Sequence, residues 1–482
     1  MLLRNFVGRL MGLVAMIVLA RELSPYEFGL VTISDVLLRM VAAFAVSGIA
    51  EYVMAYRGDD EEAILKAAFW LNSLLTAVVV GGVAMSAPFW AVANGDDRIV
   101  SLAILLAAVF VVTQLGVVPK AILARRLDFR TQVRIQTPFV ILVPIGKIVA
   151  VYSGLGVFSL VVPTLILAPF QSLAFFVAAR WTPGNSLLIS RWATIFAFTK
   201  FLVAKSILTR AADFGDKIVL AQFLSLEAVG VYGLAYTLME LIPSNLVSVT
   251  NNVLSAALPR YAHDKDLFYQ RYMQFLQVLA FFVVPTMLAI GLCAEPLILL
   301  LYGPKWEAAV LPLQVLTIYG VARCLLLSYG SVLNSLQLPQ RALMLKAVYT
   351  PFHLGVAAIG AMTGVVGFAA AMAVAKIGLM AWGVKQMMDA LEKPFISYFS
   401  RLGMVFGAGI GCLAPAIAAE RLLEPVHRGN LWATASILAL SYALSYLFAF
   451  RWLGRTHLAD IGEFFGRSNE GMEKVWNRTV NR

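Results

Sequence analysis

Residues 18–29 read VLARELSPYEFG and residues 219–230 read VLAQFLSLEAVG, agreeing at Val, Leu, Ala, Leu, Ser and Gly. The shift between them is 201 (219 − 18), with no gap. Further along, SGLGVF at 153–158 resembles TGVVGF at 363–368, a shift of 210 (363 − 153), and Gly116 has a counterpart in Gly330. Gly, Leu, Ala and Ser are common in apolar helices, so coincidence is the competing explanation. An ungapped match backed by a second one at a similar shift argues instead for a chain built from two related halves.

Composition says where such a chain lives. Of its 482 residues 60% are apolar and 13% charged, and the mean hydropathy is +0.82. Soluble domains carry roughly 25% charged residues, so this chain has too few to clothe a water-soluble surface. Its apolar residues come in blocks near the roughly 20 that a bilayer-crossing helix needs. The fold class is therefore an all-α polytopic membrane protein. Cys293, Cys324 and Cys412 lie in apolar runs without metal-ligand spacing and read as buried structural thiols. Arg4 and Arg9 precede and interrupt an apolar stretch reaching Ala20, which reads as an uncleaved first span.

About 14 apolar segments follow one another: 3–20, 26–50, 67–93, 99–121, 133–152, 157–179, 193–221, 227–255, 269–300, 308–336, 342–362, 365–391, 398–420 and 430–451. Loops are short throughout, and no soluble catalytic domain fits between spans. The even-numbered loops hold about 17 Lys and Arg and the odd-numbered about five. The fourth alone carries Lys120, Arg125, Arg126, Arg130 and Arg134. Cytoplasmic loops collect cations, which places both termini in the cytoplasm. Most of the net charge of +11 reflects this asymmetry rather than a basic folded face, so no nucleic-acid partner is expected.

The shift of 201 carries the first span onto the seventh. Six crossings apart, the two copies share one orientation, as in parallel-repeat transporters. The expected organisation is an N-terminal six-helix lobe (1–190), a related C-terminal six-helix lobe (191–392), two additional transmembrane helices (393–452) and a cytoplasmic tail (453–482). Under the same shift Arg9 lands on Arg210 and Arg4 on Lys205. Asn5, Gly8 and Gly12 mark one stripe in the first half. In the second, Ser206, Arg210, Asp213 and Lys217 share a helix face by their spacing.

Asp35, Arg39, Lys147, Glu240, Arg323 and Lys376 also fall inside apolar segments. Each central charge costs roughly 2.5–3.5 kcal/mol on the insertion scale, so these groups face a wet cavity or pair with one another. Asp35 and Arg39, four apart, can pair locally, as can Arg210 with Asp213 and Asp213 with Lys217. Arg39 maps onto Glu240, so opposite charges at equivalent sites would suit a bridge closing one mouth of a central cleft. Beyond local pairing the excess is cationic: Arg9, Lys147, Lys205, Arg210, Lys217 and Arg323. A cationic cavity implies an anionic cargo. One phosphate–guanidinium contact at about 4 Å is worth ~4 kcal/mol at an effective dielectric of about 20, so two or three hold a pyrophosphate yet permit release.

LARELSPYEFGL (19–30), the basic loop after span four and LYGPKWEAA (301–309) carry a family resemblance across essentially the full chain. The chain resembles the multidrug/oligosaccharidyl-lipid/polysaccharide flippase superfamily, and within it the polysaccharide-transporter branch of Wzx-type flippases. The motif residues themselves read as scaffold: Ser24 and Pro25 suit a helix N-cap and first turn. Gly29 allows close helix packing, and Trp306 suits the outer interface. The resemblance implies two six-helix lobes around a central cavity that opens alternately to cytoplasm and periplasm of a bacterial inner membrane. The implied cargo is an undecaprenyl-pyrophosphate-linked oligosaccharide for exopolysaccharide or O-antigen assembly. The implied partners are membrane lipids, a polysaccharide polymerase and chain-length machinery. By family precedent Arg9, Arg210, Lys205 and Lys147 would line the cavity. Spans thirteen and fourteen would form a groove for the polyprenyl tail.

Rival readings are a peptidoglycan-precursor (lipid II) flippase, with the same cationic cavity, and an ion-coupled multidrug exporter, which would prefer an acidic one. A polysaccharide polymerase would need a larger external loop, and an assembly scaffold would not translocate lipid. No P-loop or metal-ligand cluster occurs in the sequence, so neither an enzyme nor a bound cofactor is expected. Asp35, Asp213 or Glu240 are the candidates for H+ or Na+ coupling.

Overall fold

A computed structural model of the chain describes residues 2–43, 48–241, 243, 246, 254, 257–326, 329–427 and 430–453. The side chains of Lys205 and Asp213, and the tail beyond 453, lie outside the described residues.

Helices follow the apolar segments in order. They begin with α1 (Leu2–Glu22), α2 (Pro25–Ala43), α3 (Ile49–Ala55), α4 (Glu61–Asn94) and α5 (Arg98–Leu115). Then come α6 (Val117–Arg125), α7 (Phe129–Tyr152), α8 (Val162–Ala179), α9 (Trp192–Phe223) and α10 (Leu226–Glu240). The series continues with α11 (Lys265–Leu292), α12 (Ala294–Leu301), α13 (Val310–Leu326), α14 (Tyr329–Ser335) and α15 (Pro339–Ala361). It closes with α16 (Gly364–Ala390), α17 (Ile396–Gly411), α18 (Leu413–His427) and α19 (Leu431–Leu453). Among the described residues no strand occurs, and nine helical stretches are long and apolar enough to cross a membrane. Their outer faces are apolar: on α4, Met85, Phe89 and Val92 are 84%, 73% and 82% exposed. Such a surface is stable against acyl chains rather than water. The protein is an all-α multi-pass membrane protein.

Helix starts are written locally. The Ser24 amide donates to Glu27 Oε2 (2.8 Å) and the Glu27 amide to Ser24 Oγ (3.3 Å), a reciprocal capping box that starts α2. In the second copy the Ala228 amide donates to Ser225 Oγ (3.2 Å), and alanine at that position leaves only half of the box. The Thr131 amide donates to Asp128 Oδ1 (3.0 Å) at the start of α7. The Asp264 carboxylate receives the Asp266 and Leu267 amides at the start of α11.

The chain divides into two compact units, Met1–Gly233 and Leu234–Arg482. Within the first, α4 runs along α5, α1 along α7, and α9 lies against α2. Within the second, α13 packs against α11 and α16, α15 against α16, and α18 against α19.

Backbone features recur along the chain. Leu127 (φ 56°) before α7 and Gln337 (φ 60°) before α15 are 210 apart (337 − 127), as are Gly154 (φ 83°) and Gly364 (φ 90°) before the following helices (364 − 154). The residue after each left-handed position closes the same turn: the Asp128 amide donates to Leu123 O (2.9 Å) and the Leu338 amide to Leu333 O (2.8 Å). Ion pairs also recur. In the first unit the turn into α4 is held by Asp60 with Arg191 and by Glu61 with Arg125 (3.2 Å). In the second the turn into α11 is held by Lys265 with Glu392 (2.6 Å) and by Asp266 with Lys393.

Trp306 departs from expectation. It is fully buried, at 0% exposure, instead of lying at the membrane interface. Gly303 adopts φ 92° and accepts the Trp306 amide (3.1 Å), so the 3-10 turn Pro304–Ala309 folds the indole into the second unit's core.

Candidate functional site

The first unit holds a pocket of about 610 Å³. Helix α1 contributes Arg4, Gly8 and Arg9, α7 contributes Gln136, Val140 and Pro144, and α8 contributes Gln171. Gly8 is why α1 and α7 meet so closely: a Cβ there would stand 2.4 Å from Val140 Cγ1. Pro144, inside α7, has no amide to bond the Val140 carbonyl one turn earlier. Arg4 Nη1 donates to Gln136 Oε1, which fixes the half-buried guanidinium, while Arg9 is exposed to the pocket. Two guanidinium groups and two amides stand in an otherwise apolar wall, donors of the kind that suit an oxyanion.

A second group of cations gathers on Phe214 of α9. Its ring has Arg39 and Arg210 Cζ each 5.7 Å from the centroid and Lys217 Nζ at 5.1 Å. A ring quadrupole attracts each cation by about 0.5–2 kcal/mol, and the Arg39 side chain, 47% exposed, is also charge-compensated by Asp35. Arg39 Nε also donates to Asp35 Oδ2 (2.5 Å), one turn away on α2. The Asp35 carboxylate acts in addition on Lys147, half-buried on α7. Next to Lys217, Asp216 is buried (5% exposed) and its Oδ1 accepts the Lys217 amide (2.8 Å).

The second unit contains a separate polar chain. Arg323 Nη2 lies 2.9 Å from Glu240 Oε1, and its Nη1 donates to the Tyr236 hydroxyl (2.5 Å). The Tyr236 ring meets that of Tyr319 at 6.1 Å. Lys376 Nζ stands over Tyr319 (5.3 Å) and Tyr349 (5.5 Å). The Tyr349 hydroxyl shares a 2.7 Å hydrogen bond with Nδ1 of the buried His353.

The residues anticipated from the sequence thus fall into three settings. Arg9 lines the pocket. Arg39, Arg210 and Lys217 meet at Phe214, with Asp35 and Lys147 close by. Arg323 and Glu240 bind each other in the second unit, while the side chains of Lys205 and Asp213 are outside the described residues. Gln136, Gln171, Phe214 and Tyr236 were not anticipated. The two glutamines carried a usable signal, being amides inside apolar spans; Phe214 carried none, since phenylalanine in a span is ordinary.

Comparison with known proteins bears on the family and the fold. The family model described as "Polysaccharide biosynthesis protein" matches residues 18–311. The lipopolysaccharide biosynthesis protein WzxC of Escherichia coli is 25% identical over 328 residues, 68% of this chain and 66% of that protein. The teichuronic acid biosynthesis protein TuaB of Bacillus subtilis is 24% identical over 280 residues, 58% of each chain. The succinoglycan biosynthesis transport protein ExoT of Rhizobium meliloti is 23% identical over 295 residues, 61% of this chain and 59% of that one. The match thus spans just under two thirds of these relatives' own length. Among solved structures, the lipid II flippase MurJ in an inward closed conformation has a TM-score of 0.73, with 14% identity, over 94% of this chain and 99% of that one. An inward-facing multidrug resistance MATE family transporter of the MOP superfamily has a TM-score of 0.62, with 15% identity, over 80% and 95%. At these identities the likeness to both structures is one of fold.

Proposed function

The chain belongs to the polysaccharide biosynthesis protein family within the multidrug/oligosaccharidyl-lipid/polysaccharide flippase superfamily, and on that premise we propose that it flips lipid-linked oligosaccharides. The cargo is an undecaprenyl-pyrophosphate-linked repeat unit, carried from the cytoplasmic to the periplasmic leaflet of a bacterial inner membrane. Both termini stand in the cytoplasm. The observation that carries the cargo's chemistry is the pocket in which Arg4 and Arg9 share one wall with Gln136 and Gln171. At ~4 kcal/mol per guanidinium–phosphate contact, two arginines hold a pyrophosphate firmly enough to draw the headgroup out of the leaflet. The tail stays in lipid.

Movement is by alternating access of two related lobes, 1–190 and 191–392, with 393–452 as accessory helices. The recurring left-handed turns at shifts of 210 and the two capped copies at a shift of 201 support this division. The cations on Phe214 receive the anion along its path, and Asp35, Asp213 or Glu240 is the acid that couples transport to H+ or Na+. A multidrug exporter for cationic drugs fits a cationic pocket poorly.

Purified protein in proteoliposomes, loaded with a fluorescent undecaprenyl-pyrophosphate oligosaccharide, tests the assignment. Wild type equilibrates the label across the bilayer, and Arg4→Ala with Arg9→Ala together slow it at least tenfold. Undiminished translocation by that variant would remove the pocket from the mechanism. Preferred competition by unlabelled lipid II would move the cargo to peptidoglycan precursor.

A further inference from the structure

The turn that joins α6 to α7 occurs again between α14 and α15, and the two copies are dressed differently. In the first unit residues 126–128 join the membrane-length stretches Arg98–Arg125 and Phe129–Tyr152, so that turn stands at a membrane–water boundary. The backbone is the same in both copies. Leu127 and Gln337 are left-handed at a shift of 210, and the next residue closes the turn with the same hydrogen bond. The side chains differ. Across that shift Arg125 corresponds to Ser335, Arg126 to Leu336, Arg130 to Gln340 and Arg134 to Met344. The apolar residues differ as well, Leu127 corresponding to Gln337 and Phe129 to Pro339. The second copy carries one arginine, Arg341, where the first has Thr131.

The second copy is a control built into the chain: the turn closes without the four arginines, so the backbone does not require them. Two of the four have local partners. Arg125 pairs with Glu61 (3.2 Å), and Arg126 Nη1 donates to the Ala179 carbonyl (3.0 Å). Arg130 and Arg134 stand one turn apart at the start of α7. Both are exposed, and among the described residues neither forms an ion pair. Asp128 beside them accepts the Thr131 amide, and Arg134 acts on it only through space. A cation here also stands at the unfavourable end of the helix, because the N-terminus carries the positive end of the macrodipole. The bias of cations toward one side of the membrane does not separate the two turns, since both lie in even-numbered loops and only the first has the surplus. Flanking Asp128, Leu127 is 73% and Phe129 43% exposed. Large apolar side chains among such cations, at the level where helices leave the bilayer, match one kind of partner. The apolar groups enter the acyl boundary and the guanidinium groups meet lipid phosphates.

We propose that the turn between α6 and α7 is a docking surface for anionic phospholipid, with Arg130 and Arg134 on the headgroup and Leu127 and Phe129 in the acyl boundary. The turn between α14 and α15, with Gln340 and Met344 in place of those arginines, has no such preference. The contact belongs to the first unit alone, and it does not depend on the cargo assigned above.

Leu127→Cys labelled with bimane reports the contact, since the native cysteines are buried and do not compete for the label. The full chain is reconstituted in phosphatidylcholine vesicles containing either brominated phosphatidylglycerol or brominated phosphatidylcholine, and quenching of the label is titrated. Each arginine near an anionic surface is worth about fivefold in lipid affinity, so the label is expected to prefer phosphatidylglycerol at least fivefold. That preference should disappear when Arg130→Gln and Arg134→Met give the first turn the second copy's residues. The same label on Gln337→Cys, in the other turn, is expected to be quenched equally by both lipids. Equal quenching at Leu127→Cys, a preference that survives the loss of both arginines, or an equal preference at Gln337→Cys would overturn the proposal. So would displacement of the brominated phosphatidylglycerol by one equivalent of undecaprenyl pyrophosphate, which would make the turn part of the cargo's path. Quenching is read without translocation, so a wrong cargo and a wrong docking surface give distinguishable failures.

Discussion

Neutralising Glu240 separates a cation that serves the scaffold from one that serves the cargo. Arg323 is held between Glu240 (2.9 Å) and the Tyr236 hydroxyl (2.5 Å), with side chains 24% and 23% exposed for Arg323 and Glu240. Removing one partner of a fully buried pair costs about 3–5 kcal/mol. Partial exposure screens some of that, as it does for surface pairs, so Glu240→Gln should cost about 2–3 kcal/mol. Replacing both partners with methionine leaves no uncompensated charge and should return stability to near wild type. Thermal unfolding in detergent micelles reads the difference: a drop of several degrees for the single variant, little for the double. If Glu240→Gln melts with wild type, or the double variant melts as low as the single, the pair does not stabilise the second unit. Translocation then decides Arg323's role. A stable double variant that flips cargo places Arg323 in the scaffold, as its pairing suggests; a stable but inert one returns it to the cargo-binding set.

Gly8→Ala puts a methyl group 2.4 Å from Val140 Cγ1 and should cost about 1–3 kcal/mol through overpacking, recovered when Val140→Ala is added; melting midpoints of the two variants check this. Phe214→Leu removes the ring shared by Arg39, Arg210 and Lys217, and should slow translocation while Phe214→Tyr restores it, so equal rates for Leu and Tyr would exclude a role for the ring face. Asp128 is held below its ordinary carboxylate pKa by the hydroxyl and amide of Thr131. Its stabilisation is present above the ordinary carboxylate range and lost as pH falls through the depressed value. Asp128→Ala should therefore melt lower near neutrality and lose less on acidification than wild type, which a pH series of melting curves measures.

Much of the fold was legible because bilayer crossing imposes a length. Apolar blocks of the required size mark the helices, and Ser24 with Pro25 writes the start of α2, to which the structure adds Glu27. Asp35 and Arg39 were legible for the same reason, being one turn apart on one helix. The pairing of Arg323 with Glu240 was not, since the partners stand on α13 and α10 and no local spacing joins them. Phe214 stayed hidden because its role depends on which cations surround it, a property of packing and not of residue type. Trp306 was misplaced because amphipathic preference favours the interface, whereas the left-handed backbone at Gly303 turns the ring inward. Gly29 was expected to permit close packing, but its partner became visible only when 226 and 230 were found against 29 and 25.

Headgroup discrimination probes the central claim most directly: the first unit's arginine pocket recognises the pyrophosphate of a lipid carrier. Equilibrium binding of fluorescent undecaprenyl pyrophosphate and of uncharged undecaprenol to the purified protein should differ at least tenfold, about 1.4 kcal/mol. That difference should vanish when Arg4 and Arg9 are both replaced by alanine. Equal binding of the two lipids by wild type, or discrimination that survives the loss of both arginines, would contradict the account.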